Sequence, residues 1–153
     1  MKLIKMTQFE FDQWAPRSRE SYAQDKMRAN GYTKKEALEI AEKDFLSSLP
    51  EGLKSKDNYL FTMKVEEANV GTIWFAVKGD VDNRKAFIYD IIVEESFRGQ
   101  GLGRKAMVLV EDEVKKIGLK EIGLHVFGFN DAAIHLYKSL GYQTTDLVMA
   151  KTL

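Results

Sequence analysis

Three glycines at alternate positions, Gly99, Gly101 and Gly103, stand in the segment Glu94-Glu95-Ser96-Phe97-Arg98-Gly99-Gln100-Gly101-Leu102-Gly103-Arg104. There a β-rich run gives way to a helical pattern. Glycine has no Cβ, so backbone N–H groups can turn inward and a ligand can approach them closely. The start of the following helix adds unpaired N–H groups and the positive end of its dipole. Arg98, Arg104 and Lys105 flank the loop with positive charge. Together these features suit a pyrophosphate. Two common phosphate loops are excluded by spacing. A dinucleotide fingerprint needs glycine at position 104, which is Arg104, and a P-loop needs Gly-Lys followed by Ser or Thr. The alternative is a tight turn in which glycine serves sterics alone, and a bare glycine loop leaves both readings open.

A second segment, Asn130-Asp131-Ala132-Ala133-Ile134-His135-Leu136-Tyr137-Lys138-Ser139-Leu140-Gly141-Tyr142, reads as a helix with Asn130 as N-cap and Gly141 as stop. Arg98-x-x-Gly101-x-Gly103 after a strand closely resembles the coenzyme A loop of the GNAT N-acetyltransferase superfamily. The second segment resembles that family's N-x-x-A-x-x-x-Y-x-x-x-G-F/Y helix, and the two motifs keep the family's order and separation. The resemblance covers the chain from about Tyr59 onward. The earlier helices match in kind only. Within the family the chain is similar to a YycN-like bacterial branch.

The resemblance implies an acetyl-CoA-dependent N-acetyltransferase, with acetyl-CoA as co-substrate and a primary amine of a small molecule or peptide attacking directly in a ternary complex. The alternative is a non-catalytic acyl-CoA-binding or regulatory domain of the same fold. By resemblance, backbone groups of Ile91, Ile92 and Val93 would bind the pantetheine arm. Arg98 and the loop Gly99, Gln100, Gly101, Leu102, Gly103 and Arg104 would hold the pyrophosphate. Asn130 would contact the cofactor arm or cap its helix. Tyr137 matches the family's usual general acid, which protonates the departing thiolate; otherwise it is an inner-face aromatic. Two residues are candidates for the base. His125 has an imidazole that titrates near neutrality. Asp90 lies beside the cofactor segment and could accept a proton or bind the ammonium. Their structural alternatives are a hydrogen-bonded core histidine and an ion pair. Neither a covalent intermediate nor a metal is implied, since two histidines without cysteine or metal-spaced carboxylates make a poor ligand set.

These residues must be positioned by the elements around them. Lys2 to Thr7 alternates like a strand. Gln8 to Asn30 predicts a helix with a bend or a late start at Pro16. Thr33-Lys34-Lys35-Glu36 has the form of a capping box, opening a helix that Pro50-Glu51-Gly52 ends. Tyr59–Val65 and Val70–Val77 predict a hairpin around Glu66-Glu67-Ala68-Asn69. Ala86–Val93 reads as a central, largely buried strand. A helix over Leu102–Ile117, a strand over Ile122–Phe127, the helix over Asp131–Leu140 and a closing strand over Leu147–Lys151 complete the chain. Three strands in series imply an antiparallel meander, and the later crossovers imply parallel pairing. With the resemblance, the expectation is an α/β (α+β) GNAT fold: a mixed, mostly antiparallel sheet of about six to seven strands flanked by about four helices. Residues 1–153 would form one domain, with 1–57 as a variable acceptor side and 58–153 as the acetyl-CoA-binding core.

The acceptor side carries Trp14, Arg17, Arg19, Tyr22, Tyr32 and Phe45, with acidic Asp25, Glu36, Glu39, Glu42 and Asp44; Trp74 and Phe75 lie on the third strand. The acids suit a cationic amine, but their spacing also fits one solvated helix face. Composition narrows the classes. The 153 residues are 44% hydrophobic and 30% charged, with 23 basic and 23 acidic side chains. That balance argues against nucleic-acid binding. No apolar run approaches a membrane span. The absence of cysteine removes disulfides and thiolate chemistry and fits the cytoplasm. Family members often pair through a sheet edge or terminal strand, which leaves a homodimer open.

Overall fold

The computed structural model describes residues 1–153. The order is β1 (Lys2–Lys5), α1 (Gln8–Asn30), α2 (Lys34–Ser48), β2 (Asn58–Val65), β3 (Ala68–Lys78), β4 (Lys85–Val93), α3 (Leu102–Lys116), β5 (Ile122–Leu124) and α4 (Asp131–Ser139). The strands lie side by side in the order β1-β2-β3-β4-β5. The first four pair antiparallel and β5 pairs parallel to β4.

Successive side chains on a strand point to opposite faces, so each strand feeds two cores. On one face Leu60 and Trp74 pack with Met6, Phe11, Trp14, Ala15 and Leu49, which seats α1. On the other, Phe61, Met63, Ile73, Phe75 and Ile88 meet Leu102, Ala106, Met107, Val110 and Val114 of α3. Those five α3 residues form one helical stripe. Small residues let α1 and α2 approach: Ala23 packs with Ala37 and Ala41.

Two helices begin with reciprocal caps. Thr33 accepts from the Glu36 amide while Glu36 returns to Thr33. Thr7 and Glu10 do the same for α1. The helix expected over Gln8–Asn30 has those bounds, and the second cap decides between the two alternatives at Pro16. Helix α1 does not start late at Pro16; it starts at Gln8, and Pro16 lies inside it. The cap and the burial of Phe11, Trp14 and Ala15 hold the first turns ahead of the proline.

Four other expectations change. The sheet has five strands, not six or seven. Leu147–Lys151 forms no strand, because it has no partner; Leu147, Val148 and Met149 are 80%, 97% and 89% exposed. The fifth strand ends at Leu124, not Phe127. Finally, β4 is interior to the sheet, paired with β3 and β5, but it is not largely buried. It lies fourth in the sheet, and only Ala86 and Ile88 are fully buried.

Candidate active site

The partial exposure of β4 follows from the early end of β5. The two strands pair only at Ala86–Ile122, Phe87–Gly123 and Ile88–Leu124. Beyond Ile88 the β5-side edge of β4 has no strand partner, while its other edge stays paired with β3 through Val93. A parted pair of strands leaves backbone donors and acceptors facing a gap. An extended, amide-bearing ligand can complete such an edge as an added strand. A cleft of about 1150 Å³ opens there, and Ile91, Ile92 and Val93 line it. The Arg98 guanidinium reaches back to the Val93 carbonyl, with Nε donating at 3.0 Å.

At the end of β4 the chain passes through a 3-10 turn, Glu95–Phe97, into the glycine loop. Gly99 and Gly101 both have φ of 74°, a left-handed conformation that glycine adopts without strain, and an added Cβ at either would meet only open space. Gly101 is the N-cap of α3 and has no side chain to satisfy the first N–H groups of that helix. Gly103 serves close approach instead: a Cβ there would lie 3.2 Å from the Leu136 side chain of α4. Arg98, Gly99, Gly101, Leu102, Gly103 and Arg104 line the cleft, and Leu102 is also a core residue. Gln100 is exposed in the turn and is not among the lining residues. Arg104 donates to Ser139, which ties the loop's basic side chain to α4.

Asn130 caps α4, its Oδ1 accepting from the Ala133 amide at 3.2 Å, and it also lines the cleft. Two turns further on, Tyr137 reaches the same cleft and makes no side-chain hydrogen bond within the chain. Burial, and then the nearby Asp90 charge, hold its phenol above the usual range. The hydroxyl therefore keeps its proton at neutral pH and can give it to a departing base.

Asp90 owes its orientation to a bulge. Trp74 pairs with Asp90 and Phe75 with Ile88, which leaves Tyr89 as an extra residue in β4. Tyr89 then stacks on Trp74 at 4.5 Å, on the side of the sheet covered by α1. The Asp90 carboxylate on that side accepts from Trp14 Nε1 and from Ser18 Oγ, each at 3.3 Å and each through Oδ2. Burial pushes this carboxyl up to about 6, with the two donors pulling against burial and Asp25 adding to it. Its alternative as an ion pair is not realised, since no cation bridges to it.

His125 lies just beyond β5, not on it, and lines the cleft edge-on to Phe127 at 4.9 Å. It is exposed and makes no side-chain hydrogen bond, so it is not a core histidine. Burial of part of its ring, then Lys26, lower its pKa. Nothing orients it as Trp14 and Ser18 orient Asp90.

The acceptor-side residues divide. Arg19, Tyr22, Asp25, Asp44, Phe45 and Trp74 line the cleft. Arg17, Tyr32, Glu36, Glu39 and Glu42 do not. Glu36 is spent on its helix cap, Glu42 on an ion pair with Arg19 at 2.6 Å. Phe75 is core on the opposite face. Ser18 escaped the sequence reading, and so did the contact of Trp14 with Asp90. The available signal was their spacing of four, which places both on one face of α1. No group of His, Asp and Glu is arranged to hold a metal ion, and no helix is long and apolar enough to cross a membrane.

Comparison with known proteins adds to this geometry. Residues 12–142 match the acetyltransferase (GNAT) family. The chain is 31% identical over 152 residues to YycN, an uncharacterised N-acetyltransferase of Bacillus subtilis, covering 99% of this chain and 97% of that protein. It is 30% identical over the same length to a second uncharacterised N-acetyltransferase of that organism, YdgE, with the same coverage. The crystal structure of YycN superposes with a TM-score of 0.94, covering 99% of this chain and 98% of that one. The fold is shared more distantly with AAC(6')-Iy, solved in complex with a bisubstrate analog of CoA and acetylneamine: TM-score 0.63, 17% identity, 99% of this chain and 97% of that one.

Proposed function

The chain belongs to the acetyltransferase (GNAT) family and is an acyltransferase, and from that premise we propose that it moves an acetyl group from acetyl-CoA to a primary amine held in the same cleft. One observation carries the reading: the edge of β4 is open from Tyr89 to Val93 and leads into a helix N-terminus built on left-handed glycines. The open edge suits the amides of a pantetheine arm, and the loop suits a pyrophosphate. Acetyl-CoA supplies an activated acetyl thioester. Ile91, Ile92 and Val93 would hold its arm, and Arg98, Gly99, Gly101 and Arg104 its phosphates. Asn130 can meet the arm through the amide nitrogen left free by its capping role.

Asp90 is the better base. It is fixed by two donors, and its elevated pKa suits proton acceptance near neutrality. An ammonium has no lone pair, so its proton passes to the Asp90 carboxylate before the nitrogen attacks. As the nitrogen bonds to the acetyl carbon and the C–S bond breaks, Tyr137 gives its phenolic proton to the leaving sulfur, and the second proton shed by the nitrogen returns to the phenolate. Both residues line one cleft, and holding amine and thioester together there supplies much of the rate. In this reading residues 58–153 hold the acetyl donor, and α1 and α2, within 1–57, wall the acceptor. A homodimer belongs to the same proposal, supported by the exposed apolar run Leu147-Val148-Met149.

Calorimetric titration with acetyl-CoA, followed by a thiol-release assay across amines and N-terminal peptides, tests it. Saturable binding and turnover on one amine class are expected. Absence of binding to the folded protein would overturn it.

A further inference from the structure

Asp90 stands on β4, but the groups that orient it come from α1, a helix placed on the acceptor side. Trp14 is 3% exposed, and its indole N–H reaches Oδ2 from within the packed aromatic cluster of Phe11, Phe45 and Trp74. Ser18, one turn later, reaches the same oxygen. Neither bond is local: Trp14 is 76 and Ser18 is 72 positions from Asp90. With both donors on Oδ2, the second oxygen takes no side-chain donor. Asp90 lines the cleft, and besides these two side chains the backbone amide of Ile91 also favours its ionised form.

We propose that Trp14 and Ser18 are positioning residues for Asp90: their paired bonds to Oδ2 fix the carboxylate on the cleft wall and leave Oδ1 as the oxygen that takes the proton. This rests on Asp90 acting as the base. Without the two donors, burial is opposed only by the Ile91 amide, so a larger share of the group stays protonated and cannot accept the ammonium proton. The bonds also couple the base to α1, so the helix that walls the acceptor sets the readiness of the group that deprotonates it. Other titratable groups act on Asp90 or share its cleft. Asp25 of α1 raises its pKa, and Tyr137 of α4 is close enough to be raised by it. Asp44 of α2, Lys78 of β3, His125 beyond β5, and Arg98 and Arg104 of the loop and α3 line the same cleft.

Carboxyl ¹³C NMR of aspartate-labelled protein reads Asp90 directly, with Asp90→Asn identifying its signal. Ser18 is only partly buried, so Ser18→Ala is the mild variant. Its loss of one donor should raise the Asp90 midpoint by roughly 0.5 to 1 pH unit. Trp14→Phe, which keeps an aromatic in the cluster, should move it the same way, and Ser18→Thr should restore it. Midpoints unchanged in both Ser18→Ala and Trp14→Phe would overturn the proposal, and the base reading would survive if Asp90→Asn still lost turnover. Full turnover in Asp90→Asn, on the amine found by thiol release, would instead remove the base reading, and the positioning role with it.

Discussion

The backbone amide of Tyr142 donates to the carbonyl of Tyr137 at 3.0 Å, and the two rings lie 5.9 Å apart. Gly141 donates in parallel to Lys138, also at 3.0 Å. This pair of bonds closes the end of α4 and adds a side-chain contact across it. The turn that carries Tyr137 is therefore held at its backbone, while its hydroxyl is left free to meet a ligand.

Replacing Tyr137 with Phe keeps that ring contact and both closing bonds but removes the proton. Turnover should fall by about 10²- to 10⁴-fold, the range for loss of a general acid. Acetyl-CoA affinity, measured by calorimetry, should stay as in the wild type. Equal turnover in the variant would remove the assignment of Tyr137 as acid.

The glycine loop makes a separate prediction. An added side chain at Gly101 meets open space within the protein, so Gly101→Glu should fold, at about 1 kcal/mol for the left-handed backbone. Its carboxylate would stand at the start of α3, where phosphate is expected, with bulk and like charge. Acetyl-CoA binding should be lost beyond detection while circular dichroism stays native. Unchanged binding by a folded variant would place the pyrophosphate elsewhere.

A cap far from the cleft serves as a contrast. Thr33→Ala removes the hydroxyl that accepts from Glu36 at the start of α2. The cost should be about 1 kcal/mol, or roughly 2–4 °C in melting temperature. Acetyl-CoA affinity should not change. A variant as stable as the wild type would show that Glu36 alone holds that helix end.

The Thr33 cap was legible because its four residues are contiguous and their hydrogen bonds are local. The spacing from Asn130 through Tyr137 to Gly141 was legible for the same reason: it is one helix with its two ends. Propensity also located β4, but it could not show that β5 leaves it after Leu124. The apolar residues of Tyr89–Val93 look the same whether they face a neighbouring strand or a cleft. The contacts of Trp14 and Ser18 with Asp90 were hidden more deeply, since they cross more than 70 positions and depend on a one-residue bulge at Tyr89. The strand expected over Leu147–Lys151 had the right residue types, yet a strand needs a partner edge that local sequence does not supply.

Asp90 finally makes a prediction about stability, opposite in sign to its role in turnover. Its folded pKa is raised, from an ordinary 3.8 to about 6, chiefly by burial. The native state therefore keeps a proton between about pH 4 and 6 that the unfolded chain has released. Stability falls as pH rises through that window, and above it the ionised group costs the fold on the order of 3 kcal/mol. Asp90→Asn keeps an oxygen for Trp14 and Ser18 to bond and removes the charge. The variant should melt several degrees higher than the wild type at pH 8, and the gap should close below pH 4, where both side chains are neutral. Thermal melts across that range check both the sign and the window. Equal melting temperatures at pH 8 would mean that the cleft solvates the carboxylate as well as water does, and the raised pKa would have to be abandoned.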